Sequence, residues 1–127
     1  MPNNIPSSAK VVVIGGGVAG CSVAYHLAKY GWKDVVLLER DQLTSGTTWH
    51  AAGLVGQLGA SATITKFRKY SLDLYKQLEK ETELSTGLKQ NGAVTVATTT
   101  SRLDELKRQA TTAQLFDVEA NIFNLSE

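Results

Sequence analysis

The sequence predicts an α/β fold built on a parallel sheet, and the evidence lies in its first third. The apolar run at 11–14 is long enough for a buried strand of a parallel sheet. A glycine-rich turn follows at once, and a helical pattern runs over 18–30. A second apolar run, 35–38, ends at Glu39. Strand, turn, helix and strand in this order predict one βαβ unit.

The glycines of the turn have G-x-G-x-x-G spacing, which favours dinucleotide binding. Gly15 permits the tight turn, Gly17 lets the backbone approach a pyrophosphate, and Gly20 lets the helix lie close to the strand. The helix N-terminus offers N–H groups and partial positive charge to the phosphates. Glu39 suits two ribose hydroxyls and repels a 2′-phosphate, which argues against NADP. The alternative is a Rossmann-like unit whose glycines serve only the turn.

Composition restricts the class of protein. The chain has 127 residues, 43% of them apolar, which indicates one small globular domain. Its net charge of +1, with no basic block, gives no support for nucleic acid or an anionic membrane as a partner. No apolar run approaches the roughly 18 residues that span a bilayer. Cys21 is the only cysteine and is predicted to fill space in the core.

The two ends shape the expected domain organisation. Residues 1–9 are predicted to be a flexible leader without the features of a signal peptide or presequence, so a cytoplasmic location is the default. Residues 10–127 are predicted to be the N-terminal part of a domain truncated at its C-terminus. One βαβ unit leaves faces and edges uncovered, and Ser126 is placed as the N-cap of a helix that does not follow. Such a piece is expected to be poorly soluble or partly folded alone.

The remaining pattern alternates loops with further elements. The small and polar residues at 41–59 predict a loop, and the apolar spacing at 61–83 predicts a core-facing helix. A strand is predicted at 93–97 and another at 118–123. Ser101 is predicted to cap a helix between these strands.

A second motif, S-G-T-T-W-H-A-A-G-L, occupies residues 45–54. Its small residues allow close approach to a flat ring system, while its hydroxyls and N–H groups suit phosphate and ring oxygens. Taken alone, His50 is better explained as a surface or hydrogen-bonded core residue. His26 lacks any such context and is predicted to be an ordinary helix residue.

With this motif the sequence resembles the N-terminus of the sarcosine and dimethylglycine dehydrogenases, in the FAD-dependent amine oxidoreductase superfamily. The resemblance rests on V-V-V-I-G-G-G-V-A-G, V-V-L-L-E-R and S-G-T-T-W-H-A-A-G-L, and extends more loosely over nearly the whole chain after the leader. T-W-H-A-A-G is its most specific part. It implies a Rossmann-like FAD-binding domain, of which this chain is the incomplete N-terminal portion.

The resemblance also implies site residues. In this family the histidine of W-H-x-A-G bonds covalently to the 8α-methyl group of FAD, and the matching position is His50. Trp49 would pack on the flavin or fill the core. No metal site is implied. The implied FAD-binding residues are Gly15, Gly17, Val18, Ala19, Gly20, Glu39, Arg40, Gly46, Thr47, Thr48, Trp49, His50, Ala51, Ala52, Gly53 and Leu54.

The implied activity is oxidation of the N-methyl group of sarcosine or dimethylglycine by the flavin. An electron-transfer flavoprotein or oxygen would reoxidise the flavin, and tetrahydrofolate would act only in a downstream part. The family's catalytic residues also lie downstream, so none is assigned here and these residues alone are expected to be inactive. Three alternatives stay open: a non-covalent flavin amino-acid oxidase, an NAD-dependent dehydrogenase, and a non-enzymatic remnant or assembly partner.

Overall fold

The computed structural model describes residues 6–123, which form two compact units divided after Leu54. The first unit is a βαβ arrangement and the second contains two helices, so the mixed α/β fold class is confirmed. The extent of the domain to which they belong stays a prediction. In chain order the helices and strands are β1 (Val11–Ile14), α1 (Val18–Lys29), β2 (Val35–Leu38), a short 3-10 helix (Thr47–His50), α2 (Ala62–Thr82) and α3 (Thr100–Gln114).

The sheet of the first unit has the predicted parallel pairing. β1 and β2 lie in register from the pair Val11 and Val35 to the pair Ile14 and Leu38. α1 connects the strands and packs against both of them. Along β1 half-buried and exposed residues alternate, and Ile14 is 85% exposed. This alternation follows from the strand period of two, because α1 covers one face of the sheet.

α1 ends close to the predicted residue. Gly31 lies just beyond it with a φ of 85°, and its N–H donates to the carbonyl of Ala28 at 2.9 Å. A glycine tolerates this left-handed conformation without the steric cost of a Cβ, which is why it commonly ends a helix.

α2 begins at a side-chain cap. Ser61 accepts a hydrogen bond from the Ile64 N–H at 3.3 Å. The predicted core-facing side is buried only in part: Leu72 is 5% exposed and Leu74 and Leu78 are half-buried, whereas Ile64 is 43% and Phe67 67% exposed. The most buried side chain of the helix is Thr65, which is 1% exposed.

Thr65 joins α2 to the loop before it. Its hydroxyl donates to the Ser61 carbonyl at 3.0 Å and accepts from the Gly59 N–H at 3.0 Å. A buried polar group is stable only when it is hydrogen-bonded, and this hydroxyl uses both its donor and an acceptor site.

The strand predicted at 93–97 is wrong, since these residues have no regular secondary structure. Val94 is 93% exposed and Val96 is 72% exposed. A strand needs a neighbour for its backbone N–H and carbonyl groups, and the described residues provide no neighbouring strand here.

The predicted cap of α3 is displaced by two residues. Thr99, not Ser101, has the extended backbone of an N-cap, and its hydroxyl accepts from the Arg102 N–H at 3.2 Å. The helix therefore begins at Thr100 and includes Ser101.

The strand predicted at 118–123 is also wrong, because Val118, its first residue, is hydrogen-bonded to the end of α3. Asp117 has a φ of 52°, and the Val118 N–H donates back to the Ala113 carbonyl at 3.0 Å. The Asp117 N–H donates to the Gln114 carbonyl at 3.2 Å, and the two bonds together form a Schellman motif. The cap predicted at Ser126 lies outside the described residues.

We expect Thr65→Val to lower the free energy of unfolding by about 1–3 kcal/mol, because it leaves the Gly59 N–H without its acceptor. Urea denaturation of the full-length protein measures this change. Thr63→Val, at an exposed position of the same helix, is the matched control and should change the value by less than about 0.5 kcal/mol. Equal losses in both variants would contradict the assigned role of the Thr65 hydroxyl.

Candidate cofactor-binding site

The turn between β1 and α1 depends on two glycines. Gly15 has a φ of 99°, and its N–H donates to the Leu38 carbonyl at 2.8 Å, which extends the strand pairing by one residue. A Cβ at Gly20 would overlap the carbonyl oxygen of Gly15. Only glycine at both positions allows the first turn of α1 to lie this close to the strand end.

Gly16 is the buried centre of this turn, and the sequence-based list of site residues omits it. Its N–H donates to the Oε2 atom of Glu39 at 2.7 Å. Its carbonyl accepts from the Thr44 N–H at 2.9 Å and from the Cys21 thiol at 3.3 Å. The uninterrupted run of three glycines could have indicated Gly16 as a site residue. Thr44 contributes only its backbone N–H, so its side chain gives no signal in the sequence.

Glu39 gathers three backbone N–H groups around one carboxylate. Besides Gly16 on Oε2, the Arg40 and Asp41 N–H groups donate to Oε1 at 2.8 and 3.1 Å. These bonds, led by that from Gly16 and then that from Asp41, hold the pKa of Glu39 below its ordinary value. A carboxylate has about four acceptor positions, so one remains for a hydroxyl group.

Thr48 supplies the cap that α1 otherwise lacks. Gly17 occupies the N-cap position without a side chain that can cap, and the Thr48 hydroxyl accepts the Val18 N–H at 2.9 Å. A Cβ at Gly17 would lie 3.0 Å from the Thr48 oxygen. The absence of a side chain at Gly17 therefore leaves room for a hydroxyl that comes from the motif at 45–54.

His50 closes the short 3-10 helix in which Thr48 lies. Its Nδ1 atom is 3.0 Å from the Gly46 carbonyl oxygen. A carbonyl oxygen only accepts, so Nδ1 carries the proton and Nε2 holds the lone pair of the neutral ring. The Trp49 ring lies edge-on to the imidazole with centroids 5.7 Å apart, and Trp49 is 73% exposed. His26, by contrast, makes an intrahelical contact of 2.6 Å between Nδ1 and the Ser22 carbonyl oxygen.

The residues after His50 are less closely held. Ala51 donates its N–H to the Thr48 carbonyl at 3.2 Å, which ends the turn. Leu54 is 90% exposed. The structure thus joins the glycine turn, Glu39 and Thr48 through hydrogen bonds. The remaining sequence-predicted residues, all exposed, are Ala19, Arg40, Gly46, Thr47, Ala51, Ala52, Gly53 and Leu54.

This arrangement fits one end of a dinucleotide. The first turn of α1 presents backbone N–H groups and the positive end of the helix dipole, both suited to a pyrophosphate. Glu39 offers an acceptor for a ribose hydroxyl at the end of β2. Within residues 6–123, no three His, Cys, Asp or Glu side chains are grouped closely enough to hold a metal ion. No helix in that range has the length and apolar character needed to cross a membrane.

Comparison with known proteins establishes the family. The FAD dependent oxidoreductase (DAO) family profile matches residues 10–126, so this chain belongs to that family. The matched segment includes every residue of the site described above.

Three relatives show how the similarity is distributed. Mitochondrial sarcosine dehydrogenase of Homo sapiens is 46% identical over 97% of this chain and 14% of its own length. Mitochondrial dimethylglycine dehydrogenase of Homo sapiens is 50% identical over 81% of this chain and 12% of its own length. The mitochondrial pyruvate dehydrogenase phosphatase regulatory subunit of Mus musculus is 46% identical over 82% of this chain and 12% of its own length. The chain therefore spans about a seventh or less of these relatives.

The Glu39 bonds predict a pH dependence of stability. Because the folded-state pKa lies below the unfolded value, the stabilisation is fully present above the ordinary value of 4.5 and is lost as pH falls through the lowered pKa. Thermal unfolding of the full-length protein and of Glu39→Gln, followed from about pH 7 to about pH 3, measures the effect. The two midpoints should differ at neutral pH and converge in acid. A difference that stays constant across this range would contradict the carboxylate's role.

Proposed function

We propose that this chain is the FAD-binding N-terminal part of an oxidoreductase that oxidises the N-methyl group of a methylated glycine. The observation that carries the proposal is the hydrogen bond from Val18 to Thr48, which brings the His50 turn to the glycine turn of an FAD family member. The relatives named sarcosine and dimethylglycine dehydrogenase supply the substrate class.

The residues divide into two binding roles. The N–H groups of Ala19 and Gly20, in the first turn of α1, would face the pyrophosphate of FAD, beside the Val18 N–H that Thr48 caps, and Glu39 would receive a ribose hydroxyl. The motif at 45–54 follows the cofactor toward its ring system. When bound, the flavin accepts the hydride equivalent taken from the N-methyl group, while the protein orients the amine and excludes competing reactions.

His50 is proposed as the covalent attachment point for FAD. The hydrogen bond of Nδ1 to Gly46 leaves Nε2 as the nucleophilic nitrogen, so the bond is expected to form at Nε2. The new bond joins Nε2 to the 8α carbon and removes one hydrogen from each partner. Dioxygen takes up the two electrons and two protons and becomes hydrogen peroxide, which balances the reaction.

Other parts of the reaction are assigned to the rest of such a protein. No catalytic acid or base is proposed among these 127 residues, which would be inactive alone. The flavin would be reoxidised by an electron-transfer flavoprotein or by oxygen, and tetrahydrofolate would act only in a downstream part. The cytoplasmic location stays a prediction, because the two dehydrogenase relatives are named as mitochondrial proteins.

Two alternative functions are each supported by a specific observation. A flavin oxidase of the same family that binds FAD without a covalent bond would use the same glycine turn and Glu39. A non-catalytic role is supported by the similarity to a protein named as a regulatory subunit. The NAD-dependent alternative is set aside, because the matching family is FAD-dependent.

The covalent link predicts a clear result for His50→Ala in the full-length protein. On a denaturing gel, flavin fluorescence should travel with the unaltered protein and be absent from the variant, because the variant lacks the Nε2 atom that is proposed to bond to the flavin. His26→Ala is the matched control and should retain the fluorescence, since His26 is hydrogen-bonded within α1. Fluorescence that persists in His50→Ala would refute the assignment.

The substrate class is tested by anaerobic titration of the full-length protein. We expect sarcosine or dimethylglycine to abolish the absorbance of the oxidised flavin, because the N-methyl group reduces it. Glycine, which has no N-methyl group, is the control and should leave the spectrum unchanged. A flavin-bearing protein that neither methylated glycine reduces would contradict the proposed substrate class.

A further inference from the structure

We infer that Thr48 is a positioning residue, which holds the His50 turn on the first turn of α1 and thereby sets the imidazole for attachment to FAD. The inference rests on the proposed function for its covalent step, but the contact itself stands on geometry. The two bonded groups, Val18 N–H and Thr48 Oγ1, are 30 residues apart in sequence.

The contact replaces a helix cap. The first N–H groups of a helix have no intrahelical partner, and a serine, threonine, aspartate or asparagine at the N-cap normally accepts one of them. Here the N-cap is Gly17 and has no side chain for this purpose. The Thr48 hydroxyl, half-buried and 2.9 Å from the Val18 nitrogen, supplies the missing acceptor from a different part of the chain.

Several contacts transmit this position to His50. The Thr48 carbonyl accepts the Ala51 N–H at 3.2 Å, and the Gly46 carbonyl is bonded to His50 Nδ1 at 3.0 Å. Thr48 and His50 therefore belong to one hydrogen-bonded turn. Just before the motif at 45–54, the Thr44 N–H donates to the Gly16 carbonyl. The loop is therefore attached to the glycine turn at two points, Thr44 and Thr48.

The rate of covalent attachment depends on where the His50 imidazole is held. Bond formation requires Nε2 and the 8α carbon to be held close together and aligned, and a displacement of about 1 Å can slow such a step by about 100-fold. The glycine turn and Glu39 are the groups proposed above to bind FAD, so loss of the Thr48 contact should affect attachment more than affinity.

The experiment compares full-length variants purified without flavin and mixed with saturating FAD. Thr48→Val is nearly isosteric but lacks the acceptor, Thr48→Ser retains it, and Thr63→Val on the exposed side of α2 controls for the substitution type. Intact-protein mass measures the rate of adduct formation. We expect Thr48→Val to be about 10- to 100-fold slower, with Thr48→Ser and Thr63→Val close to the unaltered protein.

Hydrogen–deuterium exchange of the flavin-free proteins, resolved to single amides, gives a readout that does not need the adduct. Thr48→Val should lose protection at Val18 and at Ala51, and Thr48→Ser should keep it. Unchanged exchange at either amide would overturn the inference. So would an unchanged attachment rate at saturating FAD, since Thr48 would then contribute to affinity alone.

The two proposals fail in different ways. If the unaltered protein forms no adduct, the covalent link is refuted, and the exchange results alone decide whether Thr48 holds the turn. If the unaltered protein forms the adduct and Thr48→Val forms it equally fast, the covalent link stands and the role of Thr48 is refuted.

Discussion

The bond between the Glu39 carboxylate and the Gly16 N–H is the interaction on which the first unit depends. It joins the end of β2 to the turn after β1, at a distance of 2.7 Å. The same glycine accepts the Thr44 N–H through its carbonyl, so one buried residue connects strand end, turn and following loop. Together with the Gly15 bond to the Leu38 carbonyl, this connection holds the acidic residue beside the turn that leads into α1.

Glu39 therefore has a structural role besides its proposed contact with ribose. Three N–H groups hold both carboxylate oxygens in place. A ligand that meets a preorganised acceptor does not have to supply the free energy of ordering that side chain. The same bonds keep the group ionised, because each stabilises the charged form.

Local patterns were sufficient to predict the βαβ unit. The two apolar runs, the glycine spacing and Gly31 each act within a few residues of the element they define, and both strands have the predicted bounds. The cap of α3 was harder to place, because hydroxyl side chains occupy four consecutive positions, 98–101, and each can cap a helix. The backbone conformation at Thr99 and the hydrogen bond from the Arg102 N–H distinguish it.

Interactions between distant residues could not be predicted in the same way. Thr48 lies 30 residues from Val18, and Gly16 lies 23 residues from Glu39. Nothing in the local pattern of either segment specifies the other. The strands predicted at 93–97 and 118–123 were wrong for a related reason, since apolar alternation describes a half-buried surface but does not provide the neighbouring strand.

The space at Gly17 has a consequence for how such sequences vary. With only 3.0 Å between the Thr48 oxygen and the position of a Cβ on residue 17, a side chain at 17 requires the Thr48 hydroxyl to move by a few tenths of an ångström or a smaller residue at 48. Positions 17 and 48 should therefore covary in an alignment of relatives. Where a smaller residue at 48 accompanies a side chain at 17, α1 would need its cap from another side chain.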